Sequence, residues 1–270
     1  MMNGLFIARY GWVFIPIVLF VLVMSIVLHE IAHGLAAKWN GDQTAKFAKR
    51  LSLNPVRHFD LLGFIMLAFV GFGFAKPVPV NIENFRHRKK GVITVSLAGI
   101  ITNIGLALIA AFFLVVVERF GAFNQSAIME TPRLFHPGAY MPLDRVTSYG
   151  VNGIVSYVFI IFFSTMLSIN IFLALFNLLP LWPLDGHRVL EATLGSYNKL
   201  VKFLRDWGIA ILLALLGISV LFFIITQFVD FRLELYAPLN AYSHFVGGGI
   251  SQSFANLFRW MFGIRRQWLF

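Results

Sequence analysis

The order of apolar and polar positions divides the chain into long apolar runs separated by short, mostly basic segments. A helix needs about 20 apolar residues to cross the hydrocarbon core of a bilayer. Four runs are long enough, at residues 12–37, 92–117, 151–179 and 207–229. Because backbone groups in lipid must be hydrogen-bonded within their own segment, each run is predicted to be a helix. The pattern therefore predicts an all-α polytopic membrane protein with about four transmembrane helices.

A fifth apolar run, residues 61–75, is short for a membrane span. It contains 15 residues, including Gly63, Gly71 and Gly73, and this favours a re-entrant segment. Ten Lys and Arg residues lie between Lys38 and Lys90, on both flanks of the run. The positive-inside rule therefore favours a cytoplasmic position for both flanks.

These assignments predict the organisation of the whole chain. We expect residues 1–229 to form one membrane-embedded core that contains the four helices and the re-entrant segment. We expect residues 230–270 to form a C-terminal tail, in which residues 250–268 mix aromatic and basic side chains. Such a composition is typical of an amphipathic helix that lies along the membrane interface.

Composition restricts the possible functions. Hydrophobic residues make up 59% of the chain and charged residues 13%, against roughly 45–50% and 25% in soluble globular proteins. These values exclude a soluble domain and a disordered chain. The formal net charge of +10 fits the cytoplasmic bias of Lys and Arg in membrane proteins better than nucleic-acid binding. Since the chain has no cysteine, a metal ion would have to be bound by His, Asp or Glu.

The first candidate site lies near the end of the first predicted helix, where His29, Glu30 and His33 form an H-E-x-x-H motif. Helix positions i and i+4 share one face, so both imidazoles can bind the same ion. Glu30 lies about 100° round the helix, where it can approach a water molecule rather than the metal. A charged helix end that reaches the interface is the structural alternative, but it does not explain a glutamate between two histidines. Ionisable residues within a membrane helix are costly and usually functional, which favours a metal site.

The second candidate site follows the third predicted helix. Pro180 and Pro183 break that helix, and Asp185 and Gly186 follow them. The predicted topology brings His29 and Asp185 to the same membrane face. A Pro-Leu-Asp-Gly stretch is also typical of an ordinary turn. Beside the H-E-x-x-H motif, however, Asp185 is the leading candidate for a third metal ligand, displayed from an unwound segment.

The two motifs together resemble those of the site-2 protease family of intramembrane zinc metalloproteases. That family carries H-E-x-x-H on one core helix and N-x-x-P-x-P-x-L-D-G on another. The second proline of the latter motif falls on Trp182 in this chain, and Pro183 follows it. The resemblance covers residues 12–195 and includes an A-G-P-x-x-N-like stretch in which Ile100 replaces the proline. The matching motif residues are His29, Glu30, His33, Asn177, Pro180, Leu184, Asp185 and Gly186.

The resemblance implies a role for each residue of the site. His29, His33 and Asp185 would bind one Zn²⁺ ion, Glu30 would activate the attacking water, and Asn177 would hold the substrate or its oxyanion. The implied activity is zinc metalloendopeptidase cleavage of single-span or signal-peptide-like membrane substrates near the cytoplasmic face. The short loops of this chain favour a compact form of the family, without a PDZ or nucleotide-sensing module.

A membrane transporter of divalent metals is the alternative function, because it could use the same His and Asp ligands. Hydrolysis needs a base such as Glu30 beside the ligands, and the sequence has no internal repeat of the kind common in transporters. We therefore expect a protease whose partners are the lipid bilayer and single-span substrates, not nucleic acid. A bacterial inner membrane is the expected location, with the active site towards the cytoplasm, and the oligomeric state stays open.

Two segments are candidates for holding an extended substrate by strand addition. Residues 44–53 alternate weakly and are basic, which is consistent with a small membrane-associated β-hairpin or with a solvated loop. Residues 76–80 contain two prolines and could line a groove. Among the remaining histidines only His187 has a candidate role, as a residue that orients Asp185.

Overall fold

The structure of the protein is a computed structural model that describes residues 15–58, 76–120 and 150–228. The predicted re-entrant segment at 61–75 and the predicted tail at 230–270 lie outside the described residues.

The described part of the chain is helical and contains no strand. Two 3-10 turns, at Pro55–Arg57 and Ile82–Asn84, interrupt the loops between the first and third α-helices. The α-helices are α1 Ile15–Trp39, α2 Thr44–Phe47, α3 Arg88–Phe120, α4 Gly150–Leu178, α5 Asp185–Leu194, α6 Lys199–Asp206 and α7 Gly208–Phe228.

Three of these helices, α1, α3 and α4, are long and apolar enough to cross a membrane. They coincide with the first three predicted runs. Helix α3 begins at Arg88, before the apolar run, and therefore also includes the basic residues that precede the run. Helix α7 lies at the fourth predicted run, residues 207–229. The protein is therefore a helical integral membrane protein.

Of the two alternatives for residues 44–53, a β-hairpin and a solvated loop, the β-hairpin is wrong. Residues Thr44–Phe47 form the short helix α2, and residues 48–53 form turns and bends. The reason lies just before them, where Asp42 Oδ1 accepts a hydrogen bond from the Thr44 backbone amide at 3.0 Å. This contact curves the chain into a helical turn, and the weak alternation of residues 44–53 does not overcome it.

The described residues divide into two compact units, of which the first comprises residues 15–25, 103–120 and 150–172. Its described core pairs small residues of α3 with larger residues of α4. Small residues allow two helix backbones to approach closely in a membrane, where no hydrophobic effect drives helices together. A polar contact adds to this packing, since Asn170 Nδ2 donates to Ser25 Oγ at 2.9 Å. The buried core residues are Ala107, Ala110, Ala111, Leu167 and Ile171.

Of the described residues, the second unit comprises 26–58, 76–102 and 173–228, and it contains all the predicted site residues. Ala36 and Ala37 of α1 pack against Val95 of α3 and against Phe85 in the preceding loop. Asn40 reinforces the contact between the helices, because its Nδ2 donates to Thr94 Oγ1 at 2.8 Å. The last two turns of α1 are thereby held against the start of α3.

Candidate metal and catalytic site

The two histidines of the H-E-x-x-H motif lie one helical turn apart on α1 and face the interior of the second unit. His29 is 7% exposed and His33 is 8% exposed. His33 Nδ1 lies 2.7 Å from the Val95 backbone oxygen, and because a carbonyl can only accept, Nδ1 donates. The neutral imidazole then carries its lone pair on Nε2, which is the atom available to a metal.

Asp185 is the first residue of α5 rather than part of the unwound segment that precedes it. Residues 179–184 separate α4 from α5, and the Trp182–Pro183 peptide bond in this stretch is cis. A Cβ at Gly186 would collide with the backbone oxygens of Leu178 and Leu179, so this tight turn requires glycine. Helix N-termini favour negative charge, and this position suits the carboxylate.

The structure brings the three predicted ligands together. Asp185 Oδ2 lies 3.2 Å from His29 Nε2 and 3.1 Å from His33 Nε2. The two Nε2 atoms are 3.0 Å apart. A tetrahedral zinc site with bonds of about 2.0 Å has ligand atoms about 3.3 Å apart. The three atoms therefore fit three corners of a zinc tetrahedron, and the fourth corner is left for water or substrate.

The charge state of Asp185 suits a metal ligand. Burial raises the pKa of this carboxyl group, but the neighbouring imidazoles of His29 and His33 outweigh burial and hold the pKa well below its usual value. The group is therefore a carboxylate at neutral pH, as metal binding requires.

The His29 imidazole packs against Gly99 of α3. A Cβ at this position would lie 2.5 Å from His29 Nε2, much closer than van der Waals contact allows. The absence of a side chain at Gly99 thus leaves room for the imidazole of His29, the proposed metal ligand. The sequence placed Gly99 only within the A-G-P-x-x-N-like stretch and did not indicate this role.

Glu30 does not join the three ligand atoms and makes a separate contact. Its Oε2 accepts a hydrogen bond from the Val78 backbone amide at 2.9 Å. The separate contact of Glu30 is consistent with the expectation that two histidines and an aspartate bind the metal while the glutamate acts as a base. The sequence could not indicate the partner, because a backbone amide leaves no signal in residue identity.

Two other predicted residues are not brought into this group by the contacts of the described residues. Asn177 Nδ2 donates to the Leu173 backbone oxygen of its own helix at 2.9 Å. His187 is buried and its Nδ1 lies 3.4 Å from the Pro180 backbone oxygen, so it contacts the turn before Asp185 rather than Asp185 itself.

Apolar helices and a cluster of two histidines and an aspartate are features expected of a membrane metallopeptidase, and comparison with known proteins shows this class. The chain matches Peptidase family M50 over residues 17–218. It is also similar to the Bacillus subtilis (strain 168) protein named "Putative zinc metalloprotease YwhC", with 38% identity over 176 residues, which are 65% of this chain and 68% of the relative. No solved structure matches the chain at a significant level. The chain belongs to peptidase family M50, the site-2 protease family, and is a membrane metalloprotease of the zinc-dependent class.

Proposed function

We propose that this protein is an intramembrane endopeptidase with one zinc ion per chain, which cleaves single-span or signal-peptide-like membrane proteins near the cytoplasmic face. The observation that carries the proposal is the convergence of His29, His33 and Asp185 within 3.0–3.2 Å, with Glu30 beside them on α1. Membership of a metallopeptidase family supports the same conclusion.

In this proposal His29, His33 and Asp185 hold the metal. Zinc, when bound, supplies a Lewis acid that polarises the scissile carbonyl group and acidifies water. The hydrogen bond from His33 Nδ1 to Val95 leaves the Nε2 lone pair available to a metal ion, and Gly99 leaves the space that the His29 imidazole occupies.

Glu30 is the proposed general base. Because the Val78 amide occupies Oε2, the other carboxylate oxygen, Oε1, takes the proton from the attacking water. The water oxygen bonds to the carbonyl carbon, the peptide C–N bond breaks, and Glu30 passes the proton to the departing amine. The base thereby returns to its starting state.

Asn177 is the proposed substrate-holding residue. In the structure its amide group is hydrogen-bonded to Leu173, so it has to turn away from its own helix before it can donate to a substrate or an oxyanion. Residues 76–80 form no helix or strand and remain the proposed contact for an unwound substrate.

The proposed topology has four transmembrane helices, a re-entrant segment at 61–75 and a core that spans residues 1–229. The basic residues support it, because those between Lys38 and Lys90 and those between 180 and 206 mark the cytoplasmic side. A bacterial inner membrane is the proposed location, with residues 230–270 as a tail at the interface.

The test is cleavage by the purified full-length protein in liposomes that carry a panel of single-span substrates, with cleavage sites mapped by mass spectrometry. We expect cleavage within or near the transmembrane segment, loss of cleavage after chelation and recovery with Zn²⁺. Metal flux across the liposome membrane without cleavage of any substrate would contradict the proposal and favour a transporter.

A further inference from the structure

The Glu30 carboxylate accepts a hydrogen bond from the segment Lys76–Asn81. Among the described residues, this is the one hydrogen bond that it receives from outside α1. We propose that Val78 is a positioning residue, whose backbone amide fixes the Glu30 carboxylate in the orientation that proton transfer needs. The inference rests on the proposed role of Glu30 as the base.

The contact itself is specific to one backbone group. The Val78 amide donates to Glu30 Oε2 at 2.9 Å, and Val78 is only 8% exposed. Pro77 and Pro79 have no amide hydrogen, so Val78 is the single backbone donor in the stretch 77–79. A glutamate side chain has three rotatable bonds, and this hydrogen bond to Oε2 restricts them.

The N-terminal end of the segment Lys76–Asn81 is held by residues 50 and 58, which precede it in the chain. The Lys76 backbone amide donates to the His58 backbone oxygen at 2.7 Å. Arg50 Nη2 donates to the Lys76 backbone oxygen, and Arg50 is 8% exposed. Both backbone groups of Lys76 are therefore held, two residues before Val78.

The C-terminal end of the segment is held by the buried side chain of Asp42. Asp42 Oδ2 accepts from the Asn81 backbone amide at 2.7 Å, and Oδ1 accepts from Asn84 Nδ2 at 2.9 Å. Asp42 has no exposed surface. With both ends held and two prolines fixing φ between them, the Val78 amide cannot follow a rotating carboxylate and instead holds it in place.

Kinetics of two Val78 variants test the proposal. Val78→Pro removes the amide hydrogen, whereas Val78→Ala shortens the side chain and keeps the hydrogen bond. We expect kcat on a single-span substrate to be lower by about 100-fold in Val78→Pro than in Val78→Ala, as for a misplaced catalytic group. KM and zinc content should match between the two variants. Equal kcat values for the two folded variants would overturn the proposal.

Hydrogen exchange tests the contact without any Val78 substitution. In the wild-type protein the Val78 amide should exchange slowly, and in Glu30→Ala it should exchange at least about tenfold faster, as the loss of a protecting hydrogen bond requires. The Val80 amide on the same segment is the internal control and should not change. Unchanged Val78 exchange in Glu30→Ala would overturn the proposal even if Val78→Pro fails to fold.

The two experiments separate this inference from the proposed function. Exchange at Val78 is measurable whether or not the protein cleaves a substrate. A wild-type protein that cleaves nothing, together with a Val78 amide that responds to Glu30→Ala, would contradict the proposed function and leave the contact established. In that outcome the positioning role for catalysis is overturned with the function on which it rests.

Discussion

At the scale of single residues, the proposed metal ligands depend on neighbours that act without using a side chain. The Val95 backbone oxygen orients His33, and the bare surface of Gly99 leaves room for His29. Loss of a group that orients a metal ligand typically lowers metal affinity or activity by about 10- to 100-fold.

Gly99→Ala should weaken zinc binding by about 10- to 100-fold, because the new methyl group would occupy space that the His29 ring fills. The measurement is zinc affinity by competition with a chelator. The matched control is Gly105→Ala on the same helix, where a Cβ would meet nothing within 4 Å. Equal zinc affinities for both variants would contradict the role given to Gly99.

The sequence indicated the proposed metal ligands better than it indicated the residues that position the ligands and Glu30. The i, i+4 spacing of His29 and His33 and the helix break before Asp185 are visible in residue identities, and the structure brings these three residues together. The hydrogen bond of Glu30 to Val78 is not visible, because it joins residues 48 positions apart through a backbone amide. The contact of Gly99 with His29 is likewise a property of the packed helices rather than of either segment.

At the scale of elements, the loops around the site owe their shape to buried polar contacts. Hydrophobic patterns predicted α1, α3 and α4, because long apolar runs have few alternatives in a membrane. The weak alternation of residues 44–53 allowed a β-hairpin or a loop and did not indicate the short helix at Thr44–Phe47, which begins where Asp42 accepts hydrogen bonds from Thr44. Asp185 also begins a helix instead of lying in the unwound stretch, since proline breaks indicate where a helix ends but not where the next one starts.

Asp42 should make the stability of this loop region depend on pH. Burial raises the pKa of Asp42, but hydrogen bonds from Thr44, Asn84 and the Asn81 amide outweigh burial and lower the pKa. A pKa lower in the folded than in the unfolded chain stabilises the fold above the unfolded value of about 4. That contribution is lost as the pH falls through the folded value.

Asp42→Asn should therefore destabilise the protein by about 1–3 kcal/mol at pH 7, as expected for lost hydrogen bonds to a buried charge. The difference from wild type should shrink below a pH of about 4. Thermal unfolding in detergent between neutral and acidic pH measures this difference. Glu83→Gln is the control, because its pair with Arg88 is mostly exposed and contributes little. A deficit in Asp42→Asn that is the same at every pH would contradict this account.

At the scale of the whole molecule, the distribution of charge predicts how the chain crosses the membrane. The protein has no native cysteine, so single cysteines can be introduced without background labelling. Cysteines at Lys49 and Lys199, in the two basic segments, should be shielded from an impermeant maleimide in intact cells. A cysteine at Gln125, in the loop between the second and third predicted helices, should react, because the proposed topology places this loop on the opposite side. Labelling of Lys49→Cys and Lys199→Cys from opposite sides would contradict the proposed topology.

The most direct test of the account compares cleavage of one single-span substrate by the wild-type protein and by Glu30→Gln, with zinc content measured in both. We expect equal zinc in the two proteins and a loss of about 100- to 10,000-fold in kcat for Glu30→Gln, the usual contribution of a general base. Glu30→Gln that retains zinc and cleaves at the wild-type rate would contradict the central claim.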